Sequence, residues 1–338
     1  MTKIQLMTID HRIQLLKKLG QHILSGDQQW LVAKEKASYE NGWFIPEFIN
    51  YQLNHIAKEY LSEEKLRDWV SAYHFPTAYA KASAVKVGII MAGNIPLAGM
   101  HDFISGFISG HHLIIKPSSK DSVLITAIID KLKEWDPTLS ITLSEQLKDC
   151  DAYIATGSNN SARYFDYYFS KYPHIIRRNR TSAAILTGNE TIKDLEQLAD
   201  DVYLYFGLGC RNVTKIYVPE NYDFVPLLEA FKKYDWVFTN HKYKNNYDYQ
   251  LAIMIINKVY YMTNGSILLQ ENKSLFSAIS VLHYEFYSDS GEIKSSLVNN
   301  HDIQCIAGPG FLPFGTAQSP ALNDYADKAD TLKFLLEL

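Results

Sequence analysis

The sequence predicts an α/β protein in which a doubly wound parallel sheet follows a helical lead-in and precedes a second α/β unit. Three observations carry this. Apolar residues recur at helical spacing before residue 80, strand-like and helix-like segments alternate from Val85 to Thr156, and alternation resumes after Ser182 around a glycine-flanked cysteine.

The lead-in comes first. Ile13, Leu16, Leu19 and Ile23 recur at three- and four-residue steps and so share one face of a helix from Asp10 to about Ile23. A second helix is expected from Pro46 to Tyr60, where Phe48, Ile49, Leu53 and Ile56 are interrupted by Asn50, His55 and Lys58. That mixture describes an amphipathic surface helix and not a membrane segment.

The character changes at Val85 to Met91, an almost unbroken apolar run ended by Gly93 and Pro96, as for a strand buried on both faces. A helix over Leu97 to Ser109, a strand over His112 to Lys116, a helix over Asp121 to Trp135 and a strand over Ala152 to Thr156 complete a βαβαβ string. Right-handed crossovers turn such a string into a doubly wound sheet with ligands at the carboxyl ends of its strands. A strand at Ser182 to Thr187, a helix at Ile192 to Tyr205 and a strand at Val213 to Val218 begin the second unit. The expected division is 1–187 for the lead-in and cofactor domain, 188–309 for the cysteine domain, and 310–338 for a tail packed on the core.

Bulk properties narrow the function. A chain of 338 residues, 47% hydrophobic and 21% charged, has room for two cores. Its net charge of -4 carries no long single-sign block, so no nucleic-acid footprint is expected. The cysteines, Cys150, Cys210 and Cys305, form no CxxC pair or zinc-spaced cluster, which points to reduced thiols and no structural metal. No apolar run approaches the roughly 18 residues of a membrane span, and the N-terminus lacks a signal-peptide pattern; a cytoplasmic protein without membrane insertion is expected.

The turns after the strands hold the candidate chemistry. In AGNIP, Asn94 follows a glycine at a strand end; it reads either as a helix N-cap or as an amide presented to a ligand. In IIKPSS, Lys116, Ser118 and Ser119 offer an ammonium and hydroxyls to a ribose or phosphate, with a solvated lysine as the plainer reading. In ATGSNNSAR, Gly157 and Ser158 precede a helix and offer backbone N–H groups to an anion. In YFGLGCRNV, Cys210 follows two glycines in an accessible turn, and Arg211 would favour its thiolate if directed inward. Cys150 and Cys305 lie in apolar surroundings and read as small core residues. His101, His111 and His112 read as structural or solvated.

In order and spacing, GNIP, KPSS, TGSNNSA and FGLGC resemble the asparagine, Lys-Pro-Ser, Gly-Ser and cysteine turns of the aldehyde dehydrogenase superfamily. With NGWF, GNIPLAGMHDFISGFISGHHLIIKPSSKD and FGTAQSPALNDYADKADTLKFL the chain is similar to the LuxC-type acyl-CoA reductases. The resemblance implies an aldehyde dehydrogenase-like fold, with a Rossmann-type cofactor domain and an α/β catalytic domain. It makes Cys210 the acyl-accepting nucleophile, Asn94 an oxyanion donor, Lys116 a ribose contact, and Gly157 with Ser158 the contact to cofactor phosphate; Ser118 and Ser119 join the cofactor set.

Departures from the superfamily pattern sharpen the expectation. Arg177 to Arg180 stand where hydrolytic members carry a water-activating glutamate, which favours reduction over hydrolysis. Ser119 stands where a glutamate often holds the ribose of NAD, so NADPH is favoured, with NADH as the alternative. Lys273 and Ser274 stand where a glutamate for the nicotinamide ribose is common, and that contact stays unassigned. The expected activity is reduction of an acyl-CoA or acyl carrier protein thioester to an aldehyde. The alternatives are an oxidative aldehyde dehydrogenase and a catalytically silent nucleotide-binding protein. A homodimer is the oligomeric expectation.

Overall fold

The computed structural model describes residues 8–75 and 85–338. The end of the expected lead-in and the first residues of the chain, over which no signal-peptide pattern was read, lie outside the described residues. The chain divides into two compact units, one formed by Met1–Arg178 with Pro320–Leu338 and the other by Asn179–Ser319.

In the first unit, α1 (Ile9–Ile23), α2 (Gln28–Glu40), α3 (Pro46–His55) and α4 (Glu63–Ser71) form the lead-in. Thr8 caps α1 by accepting the His11 N–H at 3.2 Å, and Asp27 caps α2 by accepting that of Trp30 at 2.9 Å. Pro46 opens α3, where its missing N–H leaves no bond unmade, and a π-helical stretch over Ile56–Tyr60 extends it. The stripe Ile13, Leu16, Leu19 and Ile23 is buried in the unit's core.

The sheet of this unit is built from β1 (Lys86–Ile90), β2 (His112–Lys116), β3 (Ile141–Leu143), β4 (Ala152–Thr156) and β5 (His174–Arg177). Helices α5 (Met100–Ser109), α6 (Val123–Trp135) and α7 (Asn159–Phe169) lie between them in sequence. All pairings are parallel, in the order β3-β2-β1-β4-β5. The order reverses at β1, so the turns after β1 and β4 flank the switch point where such sheets bind ligands. Val87, Ile89, Leu113, Ile115 and Ile154 fill the core.

The second unit holds β6 (Thr181–Ile185), α8 (Ile192–Tyr203), β7 (Val213–Pro219), α9 (Val225–Phe231), α10 (His241–Ile256), β8 (Met262–Thr263), β9 (Leu268–Glu271), β10 (Val281–Tyr287), α11 (Ser290–Val298) and β11 (Ile303–Ala307). Its strand order is β11-β6-β7-β10-β9-β8, parallel except for the β8–β9 edge. A capping box between Thr191 and Asp194 starts α8.

Two boundaries differ from the sequence expectation. The units divide at Arg178, before the expected boundary at Thr187, because β6 pairs with β7 and β11 of the second sheet. The expected tail is also split. Gly315 and Ala317 bond to Asp201 within the second unit, whereas Leu322, Tyr325, Leu332 and Leu335 bury themselves in the core of the first. Among the described residues no helix is long and apolar enough to cross a membrane, and no group of three or more His, Cys, Asp or Glu is gathered as for a metal.

Candidate active site

The turns after β1 and β2 are interlocked. Gly93 lies against Ser118 so closely that a Cβ would come within 2.6 Å of the serine Cβ, so only glycine fits there. Leu97, a buried non-glycine residue at φ 53, donates its N–H to Asp121 Oδ2 at 2.6 Å. Asp121 in turn donates its own N–H to the Ser118 carbonyl at 3.0 Å. Asn41 of the NGWF segment donates from Nδ2 to the Lys120 carbonyl at 3.1 Å, which joins that segment to the Lys-Pro-Ser turn.

Helix α5 starts at Met100 with Gly99 at its N-cap, not at Leu97, and this corrects the capping reading of Asn94. The left-handed Leu97 delays the helix, so Asn94 sits exposed within a turn. Lys116 ends β2 opposite Ile90, Ser118 is half-buried, and Ser119 is exposed. These residues gather on two neighbouring turns at the carboxyl edge of the sheet.

At the end of β4, Gly157 is again required. A Cβ there would stand 2.8 Å from Ser161 Cβ and 2.9 Å from the Phe165 ring. Its N–H already donates to the Arg177 carbonyl at 3.2 Å, which corrects the expectation of an unengaged glycine amide. Ser158 is the N-cap of α7 and accepts the Ser161 N–H at 3.2 Å. What the turn can offer an anion is the exposed Ser158 hydroxyl and the positive end of α7.

Cys210 lies in the second unit, half-buried, on the loop between α8 and β7. Three successive residues on its approach, Tyr205 and Phe206 at φ 56 and Gly207 at φ 75, are left-handed. For the two aromatic residues this conformation costs about 1–2 kcal/mol each, so surrounding bonds must hold the loop. Asn212, fully buried, supplies them: Oδ1 accepts the Gly209 N–H at 2.7 Å, and Nδ2 donates to the carbonyls of Asp201, Val202 and Leu204 at 3.1, 3.2 and 2.8 Å.

A second set of contacts holds the cysteine backbone. The buried Ser182 hydroxyl donates to the Cys210 carbonyl at 3.1 Å and lies 3.0 Å from Cys305 Sγ. Cys305 is therefore not the plain core residue expected from sequence, although burial pushes its thiol up to about 11 against the opposing pull of Arg211. Burial also raises the Cys150 thiol. Arg211 is directed inward, with its guanidinium 3.5 Å from the Ala317 carbonyl. Asp201 accepts the N–H groups of Gly315 and Ala317 at 2.7 and 2.9 Å, and burial raises its carboxyl to about 7.

The arginine stretch is structural at its start. Arg177 is buried and bonds to Asp102 at 2.8 Å and to the Thr331 hydroxyl at 2.6 Å. Burial alone would raise the Asp102 carboxyl, but the guanidinium holds it below the usual range. In the segment resembling the nicotinamide-ribose site, Glu271, Lys273 and Ser274 are all exposed. Its backbone is tied down instead: Lys215 donates to the Asn272 carbonyl, His283 to that of Ser274 at 2.9 Å, and Thr214 to that of Leu275 at 2.7 Å. His101 and His111 bond to the carbonyls of Leu322 and Leu335 at 2.8 and 2.7 Å, in structural roles.

Asn212, Asp201, Ser182 and Asp121 escape a sequence reading. Their importance lies in burial and in partners distant along the chain, and the only local hint is that Asn212 and Asp121 adjoin the CR and SSK of two turns already singled out.

A family model described as acyl-CoA reductase (LuxC) matches residues 50–229. The chain is 21% identical over 192 residues to long-chain acyl-protein thioester reductase 2 of Photobacterium leiognathi, covering 50% of this chain and 39% of that protein. It is 24% identical over 193 residues to the long-chain acyl-protein thioester reductase of Aliivibrio fischeri, covering 51% of this chain and 38% of that protein. The chain thus spans well under half the length of these curated relatives. Among solved structures, the aldehyde dehydrogenase KauB of Pseudomonas aeruginosa aligns with a TM-score of 0.66 and 12% identity, over 90% of this chain and 73% of that one. The fold is that of an aldehyde dehydrogenase.

Proposed function

The chain belongs to the LuxC family of acyl-CoA reductases, and on that premise we propose that it reduces an acyl thioester to an aldehyde through an acyl group carried on Cys210. The observation that carries the reading is the strained loop on which Asn212 fixes Gly209, directly before Cys210. A loop held so firmly presents a thiol in one position, as nucleophilic attack requires.

The Cys210 thiolate attacks the thioester carbonyl; the carbon–sulfur bond to the carrier breaks and the carrier leaves as a thiolate, which takes its proton from solvent. The oxyanion that forms during this step calls for a hydrogen-bond donor, the role the resemblance gives to Asn94. A reduced nicotinamide nucleotide, when bound, supplies the hydride that takes the acyl group to the aldehyde level. The carbon–sulfur bond to Cys210 then breaks, releasing aldehyde and the free cysteine.

The turns of the first unit fit such a nucleotide. Gly93 and Gly157 let these turns pack against Ser118 and against Ser161 and Phe165, and Lys116, Ser118, Ser119 and Ser158 supply a cation and hydroxyls suited to ribose and phosphate. The first unit is therefore assigned the nucleotide and the second the acyl chemistry. With a serine in place of a carboxylate at position 119, NADPH is the nucleotide this reading favours. The thioester is that of coenzyme A or of a carrier protein, the latter in line with the names of both curated relatives. The stretch Arg177 to Arg180 holds no carboxylate to activate water, and Arg177 is engaged with Asp102, which favours reduction over hydrolysis.

The test is NADPH consumption with acyl thioesters of graded chain length, with the aldehyde trapped. Turnover in the wild type and its loss in Cys210→Ala is the expected result. Full turnover in Cys210→Ala, or acid production from an aldehyde with no thioester reduction, overturns the proposal.

A further inference from the structure

We propose that Asp121 is a positioning residue that locks the asparagine turn to the Lys-Pro-Ser turn and thereby sets nucleotide affinity. The inference rests on the reading of these turns as the nucleotide site.

The geometry is specific. Leu97 adopts a left-handed conformation that a branched, buried side chain disfavours, and its N–H points at Asp121 Oδ2, 2.6 Å away. Asp121 is itself bonded through its N–H to Ser118, the residue against which Gly93 packs. One residue therefore joins the two turns: its carboxyl holds the Leu97 N–H at the far end of the turn that carries Asn94, and its backbone N–H closes the turn that carries Ser118. Asn41 braces the same loop from the NGWF segment by holding the Lys120 carbonyl.

The carboxyl is retained at a cost. Asp121 is 6% exposed, and its second oxygen, Oδ1, has no hydrogen-bond partner among the described residues. A buried acceptor left unmade costs about 1–3 kcal/mol, more for a charged group. Between Met91 and Gly99 the facing turn contains no charged residue, and the aspartate's own turn carries Lys116 and Lys120. Burial pushes it up to about 7, opposed only by the Leu97 amide. The tie between the turns is thus strongest when Asp121 is ionised and weakens when it takes a proton.

The experiment compares wild type, Asp121→Ala, Asp121→Asn and Asn41→Ala by fluorescence titration with NADPH and by amide hydrogen exchange over residues 91–99. A lost buried hydrogen bond predicts at least about fivefold weaker NADPH binding and faster exchange over 91–99 in Asp121→Ala, with a smaller effect of the same sign in Asn41→Ala. Asp121→Asn, which keeps an acceptor for Leu97, restores most of the affinity. A merely structural role would not produce the pH signature. From about pH 8 to about pH 6 the wild type converges on Asp121→Asn, and titration of the nucleotide phosphate, common to both, cancels. Unchanged affinity and exchange in a folded Asp121→Ala, or parallel pH profiles, overturn the proposal. Should the wild type bind no nucleotide, the reading of the site fails, while exchange over 91–99 still decides whether Asp121 holds the turn.

Discussion

Asn212 accepts the N–H of Gly209 at 2.7 Å, and the same side chain holds three carbonyls at the end of α8. Asn212→Ala leaves these groups buried and unmade, so a stability loss of about 3 kcal/mol or more is expected. Asn212→Asp, which keeps the acceptor for Gly209 but loses the donors, is expected to fall in the same direction. Urea unfolding checks both variants, and alkylation kinetics at Cys210 report whether the loop has loosened.

The three thiols are expected to react unequally. Burial holds Cys305 near 11 and raises Cys150, so both remain protonated at neutral pH. Iodoacetamide at about pH 7.5 should therefore modify Cys210 first, with Cys305 left intact until the protein unfolds or the solution becomes strongly alkaline. Peptide mass spectrometry over a time course gives the order directly.

Asp121 also makes stability depend on pH. Its folded pKa, about 7, lies above its ordinary value of 3.8, so the folded state binds the extra proton between them. Its contribution to stability is present below about pH 4 and is lost as pH rises through about 7. Relative to Asp121→Asn, the wild type should lose on the order of a few kcal/mol over that window, read as the difference between two urea-unfolding series.

The ion pair between Arg177 and Asp102 is buried on both sides. Removing one partner strands the other charge, and Arg177→Met or Asp102→Asn is expected to cost about 3–5 kcal/mol. Arg177→Glu, which would place a carboxylate in the stretch where hydrolytic superfamily members carry one, should unfold the first unit by setting it beside Asp102. Chemical denaturation distinguishes this outcome from a gain of esterase activity.

The sequence made the fold legible where periodicity is strong. The α1 stripe and the runs around Val87 and Leu113 identify helix and strands because burial on a fixed face demands those residues. Short segments such as Ile141–Leu143 and His174–Arg177 went unseen, since a three- or four-residue edge strand has too little pattern to stand out. At the site, turn chemistry singled out Gly93, Gly157 and Cys210, and close packing explains the first two. The residues that hold those turns were not legible, because the partners of Asp121 and Asn212 are set by the folded chain. Asn94 shows the limit from the other side: its local sequence suits a helix cap, but the left-handed Leu97 postpones the helix to Met100.

The return of Pro320–Leu338 to the first unit orders events during synthesis. Leu322, Tyr325, Leu332 and Leu335 belong to a core that otherwise ends at Ile175, so a ribosome must translate all of Asn179–Ser319 before that core can close. The second unit, continuous in sequence, can fold first on the nascent chain, reversing the usual N-terminal-first order of multidomain proteins. Until the last helix emerges, the apolar faces awaiting it stay open to chaperones and to aggregation.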